Sequence, residues 1–276
     1  MRRFAAAVSL IMLMPGLVSA QAEDIKVGGT GAATGVLIRL GQAYEEGNKG
    51  DKVHVVPGLG SGGGISAVGE GAIDIAVSSR DLKADEKAKG LSAYPLFESP
   101  FIFVTSHPQP PKLTKADVVA IHNETMTAWP DGKPIKVILR PKSDSVTPFL
   151  HSNFEGMQPA MDKLRLRRDI PIAATDQDNV EMAEKTASSF AASTLVQWMT
   201  EAPRLKVIDL DGVTPSIAAM ESGSYPLKAR TVLVMKTKPS PAAERFALFL
   251  RSDRAQKIVR DSGAVSLLPA GPALTR

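Results

Sequence analysis

Hydrophobic positions along the chain change period several times. "DIKVGGT" places a short strand at Ile25–Val27 that ends in glycines. "GVLIRLGQAYEEGNKG" then carries Val36, Leu37, Leu40 and Tyr44 at helical spacing, with Gly47 and Gly50 as stop signals. "KVHVVPG" reads as a second strand, "GISAVGEGA" as a short helix and "IDIAVSS" as a third strand. Strands that alternate with helices predict a parallel sheet and an α/β fold.

The second half continues the alternation. "PFIFVTS" is an apolar strand that runs into Pro108, Pro110 and Pro111, a proline density that suits a crossing between domains. "TKADVVAIH" predicts a helix capped by Thr114. "KPIKVILRP" is a strand, and "SDSVTPFLHSNF" a loop running into a helix. "PRLKVIDLDG" and "ARTVLVMK" are further strands, separated by the helix of "TPSIAAMESGSYPL". "SPAAERFALFLRSDRAQKIVRDSG" predicts one long amphipathic helix with Phe246, Leu248, Phe249, Leu250 and Ile258 on its apolar side.

The first residues belong to a different pattern. "MRR" precedes the apolar run "FAAAVSLIMLMPGLV", and "VSAQA" follows with small residues. This is the layout of a secretory signal peptide over residues 1–22, cleaved after Ala20 or Ala22, and it predicts an exported mature chain. The run falls short of the roughly 20 residues a membrane span needs.

Composition is that of a globular protein: 276 residues, 43% hydrophobic and 22% charged. Without Arg2 and Arg3 the balance is 31 basic to 29 acidic residues. So small an excess does not support nucleic-acid binding, which calls for clustered basic residues. The one basic run, "KLRLRRD", reads as a solvated face. The chain has no cysteine, which removes disulfides, thiolate metal sites and cysteine nucleophiles. Its histidines, His54, His107, His122 and His151, show no metal-ligand spacing and read as surface or packing residues, so neither metal nor cofactor is expected.

Candidate chemistry lies at three strand-to-helix junctions: "GGTGAATG", "GLGSGGG" and "ILRPKSDSVT". At such a junction several backbone N–H groups lack intrahelical partners, and the helix dipole adds partial positive charge. Together these make an anion site, to which hydroxyls and an arginine such as Arg140 add donors. Established nucleotide and hydrolase motifs fail here. No "GK[ST]" follows the glycines, no acidic residue supports the GxGxxG-like "GLGSGG", and Leu59 breaks G-x-S-x-G at Ser61. No serine is paired with a histidine base, so a secreted hydrolase has little support.

"GGTGAATGVLIRLGQAYEE" followed by "VVPGLGSGGGISAVGEGAIDIAVSSRDLKADE" resembles the first lobe of the periplasmic phosphate-binding proteins, the solute receptors of phosphate ABC importers. "IKVILRPKSDSVTPFLHSNF" is similar to that family's arginine-plus-SGT loop, and "IDLDGVTPSIAAMESGSYPLKARTVLVM" resembles its return segment. The resemblance implies a type II periplasmic-binding fold, two α/β lobes that close on a ligand in the cleft between them. Lobe 1 would be residues 23–104 and 226–276, and lobe 2 residues 105–225. It implies a non-enzymatic, monomeric receptor for an inorganic oxyanion, phosphate by default, docking on ABC-transporter membrane subunits. Thr34 falls at the family's first-loop threonine and Ser61 at its Gly-loop serine, with Gly62 and Gly63 presenting N–H groups. Arg140 falls at the clamping arginine, and Ser145 and Thr147 near the serine and threonine of the SGT loop.

Three departures stand out. Ser79, followed by Arg80, occupies the place of an aspartate that accepts a hydrogen bond from protonated phosphate, which removes one device for excluding sulfate. Asp144 and Val146 alter the third loop, and "EKTASSFAAS" lacks the family's usual ending, although Ser188 and Ser189 could face the cleft. These departures motivate an alternative expectation, a periplasmic sensing or accessory protein of the same fold with altered or lost phosphate binding.

Overall fold

The computed structural model describes residues 23–201 and 204–269, so the expected leader, residues 1–22, lies outside the described residues. The chain begins with β1 (Asp24–Gly29), α1 (Thr34–Gly47), β2 (Lys52–Val56), α2 (Gly60–Glu70) and β3 (Ile75–Ser78). β1 pairs in parallel with β2 and with β3, as the alternating pattern predicts. After α3 (Ala84–Ala88), β4 runs from Leu91 to Thr105. Then follow α4 (Lys115–His122), β5 (Lys136–Val137), α5 (Val146–Asn153), α6 (Met157–Leu164), α7 (Asp176–Lys185), β6 (Ser189–Thr194), α8 (Leu195–Glu201), β7 (Lys206–Val207) and α9 (Ile217–Ser222). The chain returns through β8 (Lys228–Lys236) to α10 (Pro241–Phe249), α11 (Asp253–Asp261) and β9 (Val265–Ser266).

The strands join in the order β2-β1-β3-β8-β4-β6-β5. Pairing is parallel at both ends of this path and antiparallel where β3 meets β8, β8 meets β4 and β4 meets β6. The sheet is therefore mixed. Its antiparallel centre exists because β4 leaves one lobe and β8 comes back, in opposite directions.

Two hydrophobic bodies flank that centre. One packs Ile25, Val27, Val36, Leu37, Leu40, Phe97, Leu233 and Phe246, with a satellite group around Ile65, Val68 and Val234. The other packs Phe101, Phe103, Trp129, Leu150, Phe154, Met157, Phe190 and Tyr225, with Ile102, Val104 and Ala191 on the opposite sheet face. The switch along β4 lies between Phe97 and Phe101, so a continuous strand carries the chain across. The prolines at 108–111 come later, on the way to α4 inside the second body. A strand held on both sides needs no proline-rich break to change bodies.

Local signals explain most boundaries. Thr114 caps α4 by accepting the N–H of Asp117 at 3.1 Å, as expected. The final helix is two helices. Ser252 accepts the N–H of Ala255 at 3.2 Å, a cap that starts α11 and ends the run from α10 at Leu250. α2 begins at Gly60, within the glycine run rather than after it. Its poor propensity is overridden by packing: a Cβ on Gly64 would lie 2.7 Å from the Cα of Gly29, so the helix rests on β1 through two bare backbones. The strand expected through "KPIKVILRP" pairs with β6 only over Lys136–Val137. Beyond it, Leu139 bridges Ile172, which swings Arg140 toward residues 173–176.

Candidate functional site

β1 ends at Gly29 with φ of 129°, and a Cβ there would lie 1.9 Å from the Val77 carbonyl oxygen. Only glycine fits so tight a passage. It lets Thr30 donate its N–H to Val77 O at 2.9 Å and brings the ends of β1 and β3 side by side. Ser79, just past β3, ties the junctions together. Its N–H donates to Ser61 Oγ at 3.0 Å, and its Oγ donates to Thr30 Oγ1 at 2.9 Å. Ser61 and Thr30 are thus used as acceptors and keep their own hydroxyl hydrogens for another partner. α2 has no side-chain cap, so its first-turn N–H groups also remain unpaired at this edge.

The facing wall comes from the second body. Ser145 precedes α5, makes no side-chain cap and lines the cleft. Arg140 is 4% exposed and heavily engaged. Its Nη1 donates to Ala173 O at 2.7 Å, its Nη2 donates to Asp144 Oδ2 at 2.7 Å, and Asp176 Oδ1 lies 3.4 Å from the same nitrogen. Its Nε is buried with no protein acceptor. Arg165 braces the loop from behind, its Nη2 donating to Arg140 O at 2.7 Å and to Thr147 Oγ1 at 3.0 Å. Burial lowers the pKa of Arg165, which stays a cation at any working pH.

These walls enclose a cavity of about 750 Å³. A smaller pocket of about 60 Å³ adjoins it, bounded by Phe101, Phe149 and Arg230. The lobes also touch at one edge of the cleft. Gln177 Nε2 donates to Gly31 O at 2.9 Å, and Asp176 Oδ2 accepts the N–H of Ala32 at 3.1 Å. Asp176 is partly buried, its side chain 14% exposed, and desolvation raises its pKa despite the nearby Arg140.

Of the expected residues, Ser61, Gly62, Gly63, Ser79, Arg80, Arg140 and Ser145 all line the cavity. Thr34 does not. The 3-10 turn Gly31–Ala33 carries the chain away from the strand end, Thr34 donates its N–H to Gly31 O, and the hydroxyl at the cleft belongs to Thr30. Thr147 is also off the cavity, 4% exposed, with Oγ1 donating to Pro141 O at 3.0 Å. Ser188 and Ser189 are buried inside the second body, and Ser189 Oγ donates to Ala183 O at 2.8 Å. Arg80 lines the cleft with its charge committed: it grips Glu86 through both Nη atoms at 2.7 and 2.8 Å, which holds the Glu86 pKa down at about 2. The reading of residues in order missed Thr30, Arg165, Asp176 and Gln177. Asp176 left one trace, the Thr175/Asp178 capping box that fixes it in the first turn of α7.

A two-lobed α/β body, crossed by β4 and β8, with donors from strand-to-helix junctions facing one cleft, defines a ligand-binding fold of the type II periplasmic kind. The chain belongs to the PBP superfamily, whose domain model matches residues 18–254. Among curated proteins it is similar to the phosphate-binding protein PstS of Bacillus subtilis (strain 168), 24% identical over 254 residues, covering 88% of this chain and 80% of that one. Among solved structures it resembles a phosphate ABC-transporter substrate-binding protein of Clostridium perfringens with bound phosphate, at TM-score 0.75 and 18% identity, covering 89% of this chain and 100% of that one. The periplasmic molybdate-binding protein of Azotobacter vinelandii is also similar, at TM-score 0.63 and 18% identity, covering 89% and 99%.

Proposed function

We propose that the chain is an exported receptor that captures an oxyanion between its lobes, inorganic phosphate first, and delivers it to the membrane subunits of an ABC importer. One observation carries this reading. Thr30 and Ser61 on one lobe and Ser145 on the other line a single cavity with hydroxyls that donate to no protein acceptor, beside the open N-terminus of α2. A tetrahedral oxyanion offers acceptors in several directions at once and suits donors arriving from two walls. Arg140 contributes a guanidinium to the wall, shared with Asp144 and Asp176, with Gly62, Gly63, Ser79 and Arg80 also lining the cavity. The names of the phosphate-binding relatives support the choice of phosphate.

In this reading the leader is removed after Ala20 or Ala22 and the mature chain acts as a monomer outside the inner membrane. Residues 23–104 with 226–276, and residues 105–225, are the two moving bodies. Binding needs no bond chemistry. The ligand prefers the closed arrangement and shifts the population toward it. Isothermal titration of the mature chain with phosphate, sulfate and molybdate tests the reading. Heat of binding is expected with at least phosphate, and replacing Ser61 or Ser145 by alanine should weaken it by roughly tenfold to a hundredfold, the loss of one hydrogen bond to a charged group. No heat with any of the three anions sinks the reading and leaves the sensing or accessory role.

A further inference from the structure

Asp176 stands in an unusual place for an acid. Its carboxylate reaches across the lobe boundary, with one oxygen 3.4 Å from Arg140 Nη2 and the other accepting the N–H of Ala32 at 3.1 Å. Those two donors, the guanidinium of one lobe and the backbone N–H groups at the strand-to-helix turn of the other, are the kinds of groups that would receive an anion. Asp176 lines both the large cavity and the smaller pocket beside it. Gln177, next in sequence, completes the contact by donating to Gly31 O. A Cβ on Gly31 would lie 2.5 Å from Gln177 Oε1 and 2.8 Å from Asp176 Oδ2, so the two lobes meet here with no space between them.

We propose that Asp176 is a built-in competitor for the cleft: its carboxylate occupies the receiving groups as an internal anion, and an incoming oxyanion binds by displacing it. The inference rests on the oxyanion reading and deepens it by naming the residue that sets how strongly the anion is held. A carboxylate is planar with two oxygens, so it can satisfy Arg140 and Ala32 together, as a bound oxyanion would. A free anion arriving beside an ionised Asp176 meets like charge at contact distance, inside the screening length of salt.

The groups facing Asp176 are few. Arg140 and Asp144 approach from the β5–α5 segment, and Glu201 approaches from α8 through Gln177 and Gln197. Arg80 and Lys83 lie on the lobe-1 side of the cavity. Desolvation raises the pKa of Asp176 and of Glu201 alike. Lower pH therefore neutralises the competitor before it touches the cations.

Titration calorimetry on the mature chain, Asp176→Asn and Asp176→Ser tests the proposal, using sodium phosphate and, as an anion whose charge is constant over the range, sodium sulfate, at pH 8 and pH 5. Both variants should bind tighter than the parent at pH 8 by at least about tenfold. The parent's affinity for sulfate should rise as pH falls, and the variants should show a flatter profile. The serine variant stands in if the asparagine variant does not melt cooperatively. Variants that bind at pH 8 no tighter than a parent that itself binds overturn the competitor and leave the oxyanion reading intact. Variants that bind where the parent binds no anion at either pH remove the oxyanion reading of the parent, and this inference with it. Absence of binding by the parent and both variants, at either pH, removes the oxyanion reading and this inference with it.

Discussion

Ser79 decides which way the neighbouring hydroxyls face. It donates both of its hydrogens inward, one to Ser61 and one to Thr30. An aspartate here would keep the backbone N–H to Ser61, but its carboxylate could only accept and would draw the hydrogen of Thr30 onto itself. With serine there, the Thr30 hydrogen remains available to the cavity. The departure that looked like a loss in sequence thus changes the polarity of the small network. His122 shows the same dependence on surroundings. It is 3% exposed, with Nδ1 2.8 Å from Val118 O and its ring edge-on to Phe190. Burial lowers its pKa from 6.5 to about 4. The unfolded chain takes up a proton below pH 6.5, and the folded chain does so only near pH 4. Its contribution is therefore constant above 6.5 and is lost as pH falls through that window, by roughly 3 kcal/mol in total. Urea melts at pH 7, 5.5 and 4.5 should show this slope, and His122→Gln should flatten it. An unchanged slope in the variant would assign the acid sensitivity elsewhere.

At the scale of elements, α2 separates glycines by purpose. Gly64 is needed for packing, because its missing Cβ lets the helix rest on Gly29. Gly62 and Gly63 have room: a Cβ added at either would find its nearest neighbour 4.0 and 3.7 Å away, respectively. Alanine at Gly64 should cost about 1–3 kcal/mol by overpacking. Alanine at Gly62 or Gly63 should raise stability by up to about 1 kcal/mol through helix propensity and weaken anion binding, because a methyl group then stands beside the N–H groups. Thermal melts and calorimetry on the three variants read both effects, and a stabilised Gly63→Ala chain with parental affinity would show that the α2 start takes no part in binding.

The same element shows what was legible in the sequence. Periodicity located β1, α1, β2, α2 and β3 of the first lobe, but not the exposed helix α3, the first half of β4 or the two-residue β9. It did not show that α2 starts inside its glycines, since that start depends on Gly29, at the far end of the preceding strand–helix–strand unit. The break at Ser252 went unread, because the apolar stripe continues through α10 and α11. Ser61, Arg140 and Ser145 could be found from their junctions. Thr30 was passed over for Thr34, because the choice turns on a single 3-10 turn. Asp176 reaches the cleft, and Arg165 the back of its loop, from distant segments, and beyond the capping box that fixes α7 nothing local marks such an encounter.

At the scale of the molecule, both bodies hang on one pair of strands. β4 and β8 are hydrogen-bonded from Leu91/Lys236 to Pro100/Lys228, with a register shift between Pro95 and Phe97 near the change of core. The C-terminal strand β9 adds a second partner to β4 at Phe97 and Glu98. α8 strengthens the connection. Its Val196 belongs to the first core although β6, immediately before it, belongs to the second. Ser99, fully buried on β4, receives the N–H of Val196 at 2.9 Å and donates to Gly263 O at 2.8 Å.

A ladder of paired strands behaves as a torsion spring rather than as a tether. Turning one body against the other twists bonds that are already made, and no segment has to pass from disorder to order. Capture of a small anion then carries little of the ordering penalty that mobile lids impose. The thermodynamic trace is a small heat-capacity change, far from that of coupled folding, where roughly 1,000–3,000 Å² is typically buried. Calorimetry with phosphate at several temperatures measures it directly. A large negative value would mean that closure condenses chain which the paired strands leave loose.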